Sequence, residues 1–184
     1  MAFLEGQLLL ASRRLLDPNF ARTVVLLIEH NATGALGVVL NRPTSKTVQE
    51  LWRQVGDMPC ESHRPVHLGG PVSGPVMAVH TLGDLAEVEI VPGVFFAAKK
   101  PNLDNLVCRD GDHDYKLFVG HAGWGPGQLE SELAEGAWQT TPATLETVFD
   151  DGDDLWQRLL NVAEAGTLPA ILGIKHIPPD PSVN

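Results

Sequence analysis

The chain has 184 residues, 43% hydrophobic and 20% charged, a balance that excludes a disordered or fibrous protein and fits a globular domain with a sizeable core. Its formal net charge of -10 repels phosphate backbones, so direct nucleic-acid binding is disfavoured without a local basic patch. The nearest approaches to such a patch, Arg13-Arg14 and Lys99-Lys100, read as solvated surface.

At the N-terminus Glu5 precedes the first apolar run and Arg13-Arg14 follow it, the reverse of a secretory leader. No apolar stretch reaches membrane-spanning length, so a cytoplasmic location without membrane contact is the expectation. Strand-like runs then recur at 7–11, 23–29, 35–40, 66–68, 76–80, 94–98 and 115–120. The run from Thr23 to Ile28 is continuously apolar, as a central strand buried on both faces should be. Asn31-Ala32-Thr33-Gly34 reads as the turn of a hairpin joining it to the next strand.

Helix signals are sharper. Thr47-Val48-Gln49-Glu50 is a capping box, followed by Val48, Leu51, Trp52 and Val55 at helical spacing and closed by Gly56. Pro126 or Gly127 is expected to open a second helix with Leu129 and Leu133 inward and Gly136 as its stop. Thr141-Pro142 predicts a short third helix with Leu145, Val148 and Phe149 buried. Asp153 predicts a fourth, with Leu155, Trp156, Leu159 and Val162 inward and Gly166 at its end. The Pro-rich tail 178–184 is expected to be loosely held. Strands first and helices late indicate an α+β fold. It is expected as one domain over 1–184, with an inserted α/β subdomain at roughly 44–100.

The densest chemistry-bearing segment runs from Val119 through Gly120, His121, Gly123, Trp124, Gly125, Gly127 and Gln128 to Glu130. Glycine at this density suits a backbone that passes close to another chain segment or to a bound group. Its amides at a helix start suit an anion, although the spacing matches neither a dinucleotide fingerprint nor a phosphate loop. The alternative is a tight strand-to-helix turn in which Trp124 plugs the core. Asn41-Arg42-Pro43 ends a strand, where Arg42 can hold a ligand carboxylate or pair with Glu130 or Glu132. Gly69-Gly70-Pro71 suits a sharp reversal, and Ser73 beyond it lacks the spacing of a nucleophile elbow.

Of the seven histidines, His30 ends the central strand and reads as a hydrogen-bonded structural residue, with a base or ligand role as the alternative. His63 and His67 have a metal-ligand spacing that Pro65 interrupts. Asp110, Asp112 and Asp114 alternate as in a calcium loop, but Tyr115 and His121 stand where its glycine and glutamate belong. Asp150-Asp151-Gly152-Asp153-Asp154 reads as a turn and helix cap. Cys60 and Cys108 lie outside any C-x-x-C, which excludes a zinc ribbon and leaves two free thiols.

Several segments together resemble the AlgH/YqgE family of bacterial proteins. They include Gly6-Gln7-Leu8-Leu9, Leu16-Asp17-Pro18-Asn19-Phe20, Glu29-His30-Asn31, the run from Gly34 to Pro43, Gly69-Gly70-Pro71-Val72, the run from Gly123 to Leu133, and Trp138. His121 departs from the pattern, which has tyrosine there, and the acidic 109–114 stretch is not typical of it. The resemblance implies a cytoplasmic α+β protein with a branched mixed sheet, a small barrel-like part and surrounding helices. Members often carry the label of transcriptional regulator, yet no helix-turn-helix is visible here.

Three functions compete. The first is a non-enzymatic regulatory or protein-interaction role, motivated by the lack of a complete catalytic set. The second is a small-molecule binder or enzyme with a cleft near Arg42, Gly70 and Trp124. The third, direct DNA control, is disfavoured by charge. No cofactor or metal is implied. The expected ligand or partner surface comprises His30, Asn41, Arg42, Gly69, Gly70, Pro71, His121, Gly123, Trp124, Gly125, Gln128 and Glu130.

Overall fold

Three strands start the chain: β1 (Gln7–Ala11), β2 (Val24–Asn31) and β3 (Gly34–Val39), paired as an antiparallel meander. The expected hairpin is present. Its turn is held by Asn31, whose Oδ1 accepts from the Thr33 amide at 2.8 Å and from the Thr33 hydroxyl at 2.6 Å. β2 is continuously apolar because both faces are covered. Val24, Leu26 and Ile28 enter one core, and Val25 and Leu27 enter another. The computed structural model describes residues 3–171, so the 178–184 tail lies outside the described residues.

The chain then leaves this sheet and builds a second. Its elements are β4 (Pro43–Thr47), α1 (Val48–Val55), β5 (Pro65–Leu68), β6 (Met77–His80), β7 (Val88–Val91), β8 (Val94–Ala97), α2 (Lys100–Cys108) and β9 (Tyr115–Val119). The strand order is β4-β5-β9-β6-β8-β7, parallel at β5–β9 and antiparallel elsewhere. Thr47 and Glu50 form the reciprocal capping box that starts α1. β4 and α2 escaped sequence reading for local reasons. β4 is polar and starts on a proline, which an edge strand tolerates. α2 opens with Pro101 in its first turn and has no side-chain cap.

The return leg completes the first sheet. β10 (Ala122–Trp124) pairs with β3, α3 (Gln128–Ala134) follows, and β11 (Trp138–Pro142) pairs with β1, giving the order β10-β3-β2-β1-β11. Thr141-Pro142 therefore ends a strand instead of capping a helix. The cap of α4 (Leu145–Val148) is Thr144, reciprocated by Thr147, and Leu145 is exposed where burial was expected. α5 (Leu155–Ile171) continues through Gly166, with Leu155 and Leu160 buried and Val162 turned outward.

The α+β expectation holds, as two open sheets among the described residues. Neither closes into a barrel, because the edge strands β10 and β11, like β4 and β7, each pair on one side alone. The sheets share a core of Leu8, Leu10, Leu26 and Val38 against Met77, Val79, Val94 and Phe118, flanked by Val148, Leu155 and Leu160. α1 and α2 cover the outer face of the second sheet, where Leu51, Trp52, Leu103 and Leu106 meet Val66 and Leu117. α3 covers part of the outer face of the first, through Leu129 beside Trp124 and Trp138. No described helix is long and apolar enough to cross a membrane.

Candidate functional site

The glycine-tryptophan segment is a crossing point of main chains. The 69–72 loop passes over 119–121: the Gly69 amide donates to Val119 O at 2.9 Å, and Val72 and His121 exchange amide-carbonyl bonds at 3.0 Å. A Cβ on Gly70, whose φ is 154°, would overlap the His121 carbonyl, and one on Gly34, with φ 138°, would overlap the Trp124 carbonyl. The crowding thus falls on Gly34, Gly69, Gly70 and Gly120. A Cβ on Gly123 or Gly127 would meet nothing within 4 Å, and one on Gly125 only the Gln128 side chain at 3.9 Å. Gly127 serves α3 instead, as its N-cap in the left-handed region with φ 72°.

Trp124 is buried and its ring is one of three. Phe20 stacks on it with centroids 6.1 Å apart, and Trp138 meets it edge-on at 6.0 Å. Both indole nitrogens donate to one carboxylate oxygen of Glu132, at 2.9 Å from Trp124 and 2.8 Å from Trp138. Gln128 donates to the other Glu132 oxygen at 2.9 Å and accepts from the Gly125 amide at 3.0 Å. Glu132 is a single acceptor for the whole aromatic cluster.

His30 is buried, with both ring nitrogens engaged within the chain. Its Nδ1 accepts from the Leu4 amide at 3.0 Å, which leaves the proton on Nε2 to be donated to Glu130 at 3.0 Å. The Glu130 carboxyl is held below its ordinary range by its own backbone amide and then by His30. Arg42 pairs with neither Glu130 nor Glu132. Its guanidinium donates to the carbonyls of Asn19 at 2.6 Å, Pro18 at 2.9 Å and Ala21 at 3.4 Å, so main chain takes the place of a carboxylate. Asn41 spans the same loop, accepting from the Val24 amide and donating to the Arg22 carbonyl, both at 2.9 Å. Among the described residues Arg22 is the non-glycine residue with positive φ, 59°, and this bond ties down its carbonyl.

The expected cleft divides. Arg42, Gly70 and Pro71 line a groove of about 380 Å³ with Leu68 and Val72 on its rim. Trp124 lines a separate depression of about 210 Å³ beside Glu29 and Asn31. His121 opens on neither, and its Nδ1 is buried without a partner beside Gly74. The two cysteines, remote in sequence, lie on touching segments: the Cys60 thiol faces Val107 O at 3.5 Å and Cys108 faces Pro59 O at 3.2 Å. Both are free thiols, and burial pushes Cys108 up.

A further cavity of about 320 Å³ lies between the ends of the sheets, lined by Leu40, Asn41, His67, Lys116 and the 150–153 loop. Lys116 is only 4% exposed. Its ammonium meets Asp151 at 3.0 Å and the Asp150 carbonyl at 3.1 Å. His67 is also 4% exposed, and its Nδ1 has no partner. Burial, with the nearby Lys116 charge, pushes the His67 imidazole down to about 4, so it is neutral at pH 7. Sequence reading gave Lys116 no role. The available signal was a lysine in the otherwise apolar run Tyr115-Lys116-Leu117-Phe118-Val119.

A sequence model described as AlgH-like matches residues 8–166. The chain belongs to the AlgH-like family. Its AlgH-like relatives include the UPF0301 protein CT0663 of Chlorobaculum tepidum, 42% identical over 159 residues covering 83% of each chain. A UPF0301 protein of Xanthomonas campestris is 38% identical over 161 residues, covering 84% of this chain and 86% of the relative. Among solved structures, the solution structure of AlgH from Pseudomonas aeruginosa matches with a TM-score of 0.74 at 28% identity, covering 96% of this chain and 97% of that one. The crystal structure of DIP2367 from Corynebacterium diphtheriae matches at 0.68 and 26% identity over 86% of both chains.

Proposed function

We propose that this AlgH-like chain is a non-enzymatic regulatory protein of the cytoplasm that works by contacting a protein partner. The contact face is the groove between Arg42 and the 69–74 loop. One observation carries the reading: Leu68, at the end of β5, and Val72, on the loop that follows, are 41% and 43% exposed on main chain tied to Val119 and His121. Aliphatic side chains on a pinned backbone lose little entropy when a partner covers them. Regulation then runs through protein contact. A net charge of -10 disfavours direct control of DNA.

The alternative of a ligand cleft shared by Arg42, Gly70 and Trp124 has weaker support, since Trp124 opens on a different depression. The test is cross-linked affinity capture from the host with the wild type and a Leu68→Asp, Val72→Asp double variant. A partner recovered with the wild type and lost with a folded variant supports the reading. An identical capture profile for both removes it.

A further inference from the structure

The strongest unassigned chemistry sits in the cavity between the sheet ends. We propose that it binds the carboxylate of a small molecule, with Lys116 as counter-cation, His67 Nδ1 as a hydrogen-bond donor, and Asp151 as the internal carboxylate that the ligand displaces.

A buried ammonium is costly unless it is paired. Lys116 is buried, yet its carboxylate partner Asp151 is 77% exposed in its side chain, on the rim of the cavity. The solvated member can leave only as another carboxylate takes its place, because the buried ammonium must stay paired. The free protein therefore already holds a carboxylate on Lys116, in a form that another carboxylate can replace. An ammonium has three donors, and two are accounted for by Asp151 and the Asp150 carbonyl.

His67 supplies the second contact. It lies on the same face of the paired strands β5 and β9 as Lys116, one strand over, and both line the cavity. A buried ring nitrogen left without a partner is destabilising in the empty protein, and a ligand that meets it recovers that loss. A neutral imidazole has one N–H to offer; the free chain gives the ring only the Pro65 carbonyl, and in the tautomer protonated at Nδ1 a carboxylate oxygen takes the proton's hydrogen bond instead. His80 Nε2 and His121 Nδ1 also lack partners, but neither lines this cavity.

The surrounding charge sets the class. Asp150 is committed to Arg158 at 2.7 Å and to the Gly152 amide at 2.8 Å, while Asp153 lines the cavity with no ion pair. These carboxylates repel a doubly charged phosphate more than a single carboxylate. A cavity of about 320 Å³ suits a small metabolite. This inference does not depend on the partner-contact reading. Leu68 rims the groove, whereas its neighbour His67 lines this cavity.

The experiment is isothermal titration of the full chain with acetate, lactate, alanine and orthophosphate at matched ionic strength. At least one carboxylate is expected to bind saturably, and orthophosphate is expected to bind far more weakly. Asp151→Asn should tighten that carboxylate roughly 2- to 5-fold by removing the internal competitor. Lys116→Met should abolish binding while retaining the fold by circular dichroism; if it unfolds, Asp151→Asn decides alone. Saturation by no carboxylate, orthophosphate binding as tightly, or an unchanged affinity in Asp151→Asn would overturn the proposal.

Discussion

The crossing around Trp124 and the cavity around Lys116 handle buried polar groups in opposite ways. At the crossing, the two indoles, Arg42 and His30 all end on groups of the same chain, and His121 Nδ1 is the exception. In the cavity, a buried imidazole nitrogen has no partner and a buried ammonium relies on an exposed carboxylate. Apart from His121, dense glycine and tryptophan therefore mark a place where the fold is closed by its own atoms. A lone lysine in an apolar strand marks the place where it is left open.

The largest effect that could break this comparison comes from the glycines. Gly34→Ala should cost about 3 kcal/mol or more, because the new methyl group meets the Trp124 carbonyl at a strained φ. Gly123→Ala, in the same strand pair, should stay within about 0.5 kcal/mol, because its Cβ enters open space. Urea denaturation of the two variants checks the contrast. Equal losses would mean that the whole glycine run, not its crossing partners, carries the constraint.

Next in size is Glu132→Ala. It strands two buried indole N–H groups together, for a loss of about 2 to 4 kcal/mol in chemical denaturation. Near-neutrality would show that the cluster does not need its shared acceptor.

The cavity gives a pH signature. His67 falls from an ordinary value of 6.5 to about 4 in the folded chain. The unfolded chain then binds a proton that the folded imidazole refuses, so stability is lost as pH falls from 6.5 toward 4. The loss attributable to His67 reaches at most about 3 kcal/mol. His67→Asn should flatten that part of the curve, leaving the share of His80, which burial also pushes down. Parallel wild-type and variant curves would contradict the buried, unpartnered state of His67.

The smallest stability effect is expected at the groove rim. Leu68→Asp and Val72→Asp should each stay within about 0.5 kcal/mol, since neither side chain is buried in the core. A larger loss would reassign them from contact face to packing.

The sequence made the fold's centre readable because burial on both faces leaves a plain mark in β2 and a capping box leaves one at Thr47. It hid β4, which is polar and starts on a proline, and α2, which has proline in its first turn and no side-chain cap. The placement of α4 failed because Thr141-Pro142 looks like a helix start but is held in a strand by Leu8 and Gln7. The candidate surface was named as one cluster, and its members Arg42, Gly70 and Trp124 divide between the 69–74 groove and the Trp124 depression. The fate of each side chain was not legible. Arg42 ends on three carbonyls, and main-chain carbonyls leave no trace in a sequence. The Lys116 cavity needed residues from four separate segments, near positions 40, 67, 116 and 151, to meet.

The most direct measurement is the imidazole nitrogen spectrum of the labelled chain during titration with the carboxylate that binds. The account predicts that the His67 ring signals move saturably while those of His30, tied to Leu4 and Glu130, stay fixed. Movement at His30 with His67 unchanged would contradict it, and would return the binding site to the glycine-tryptophan crossing.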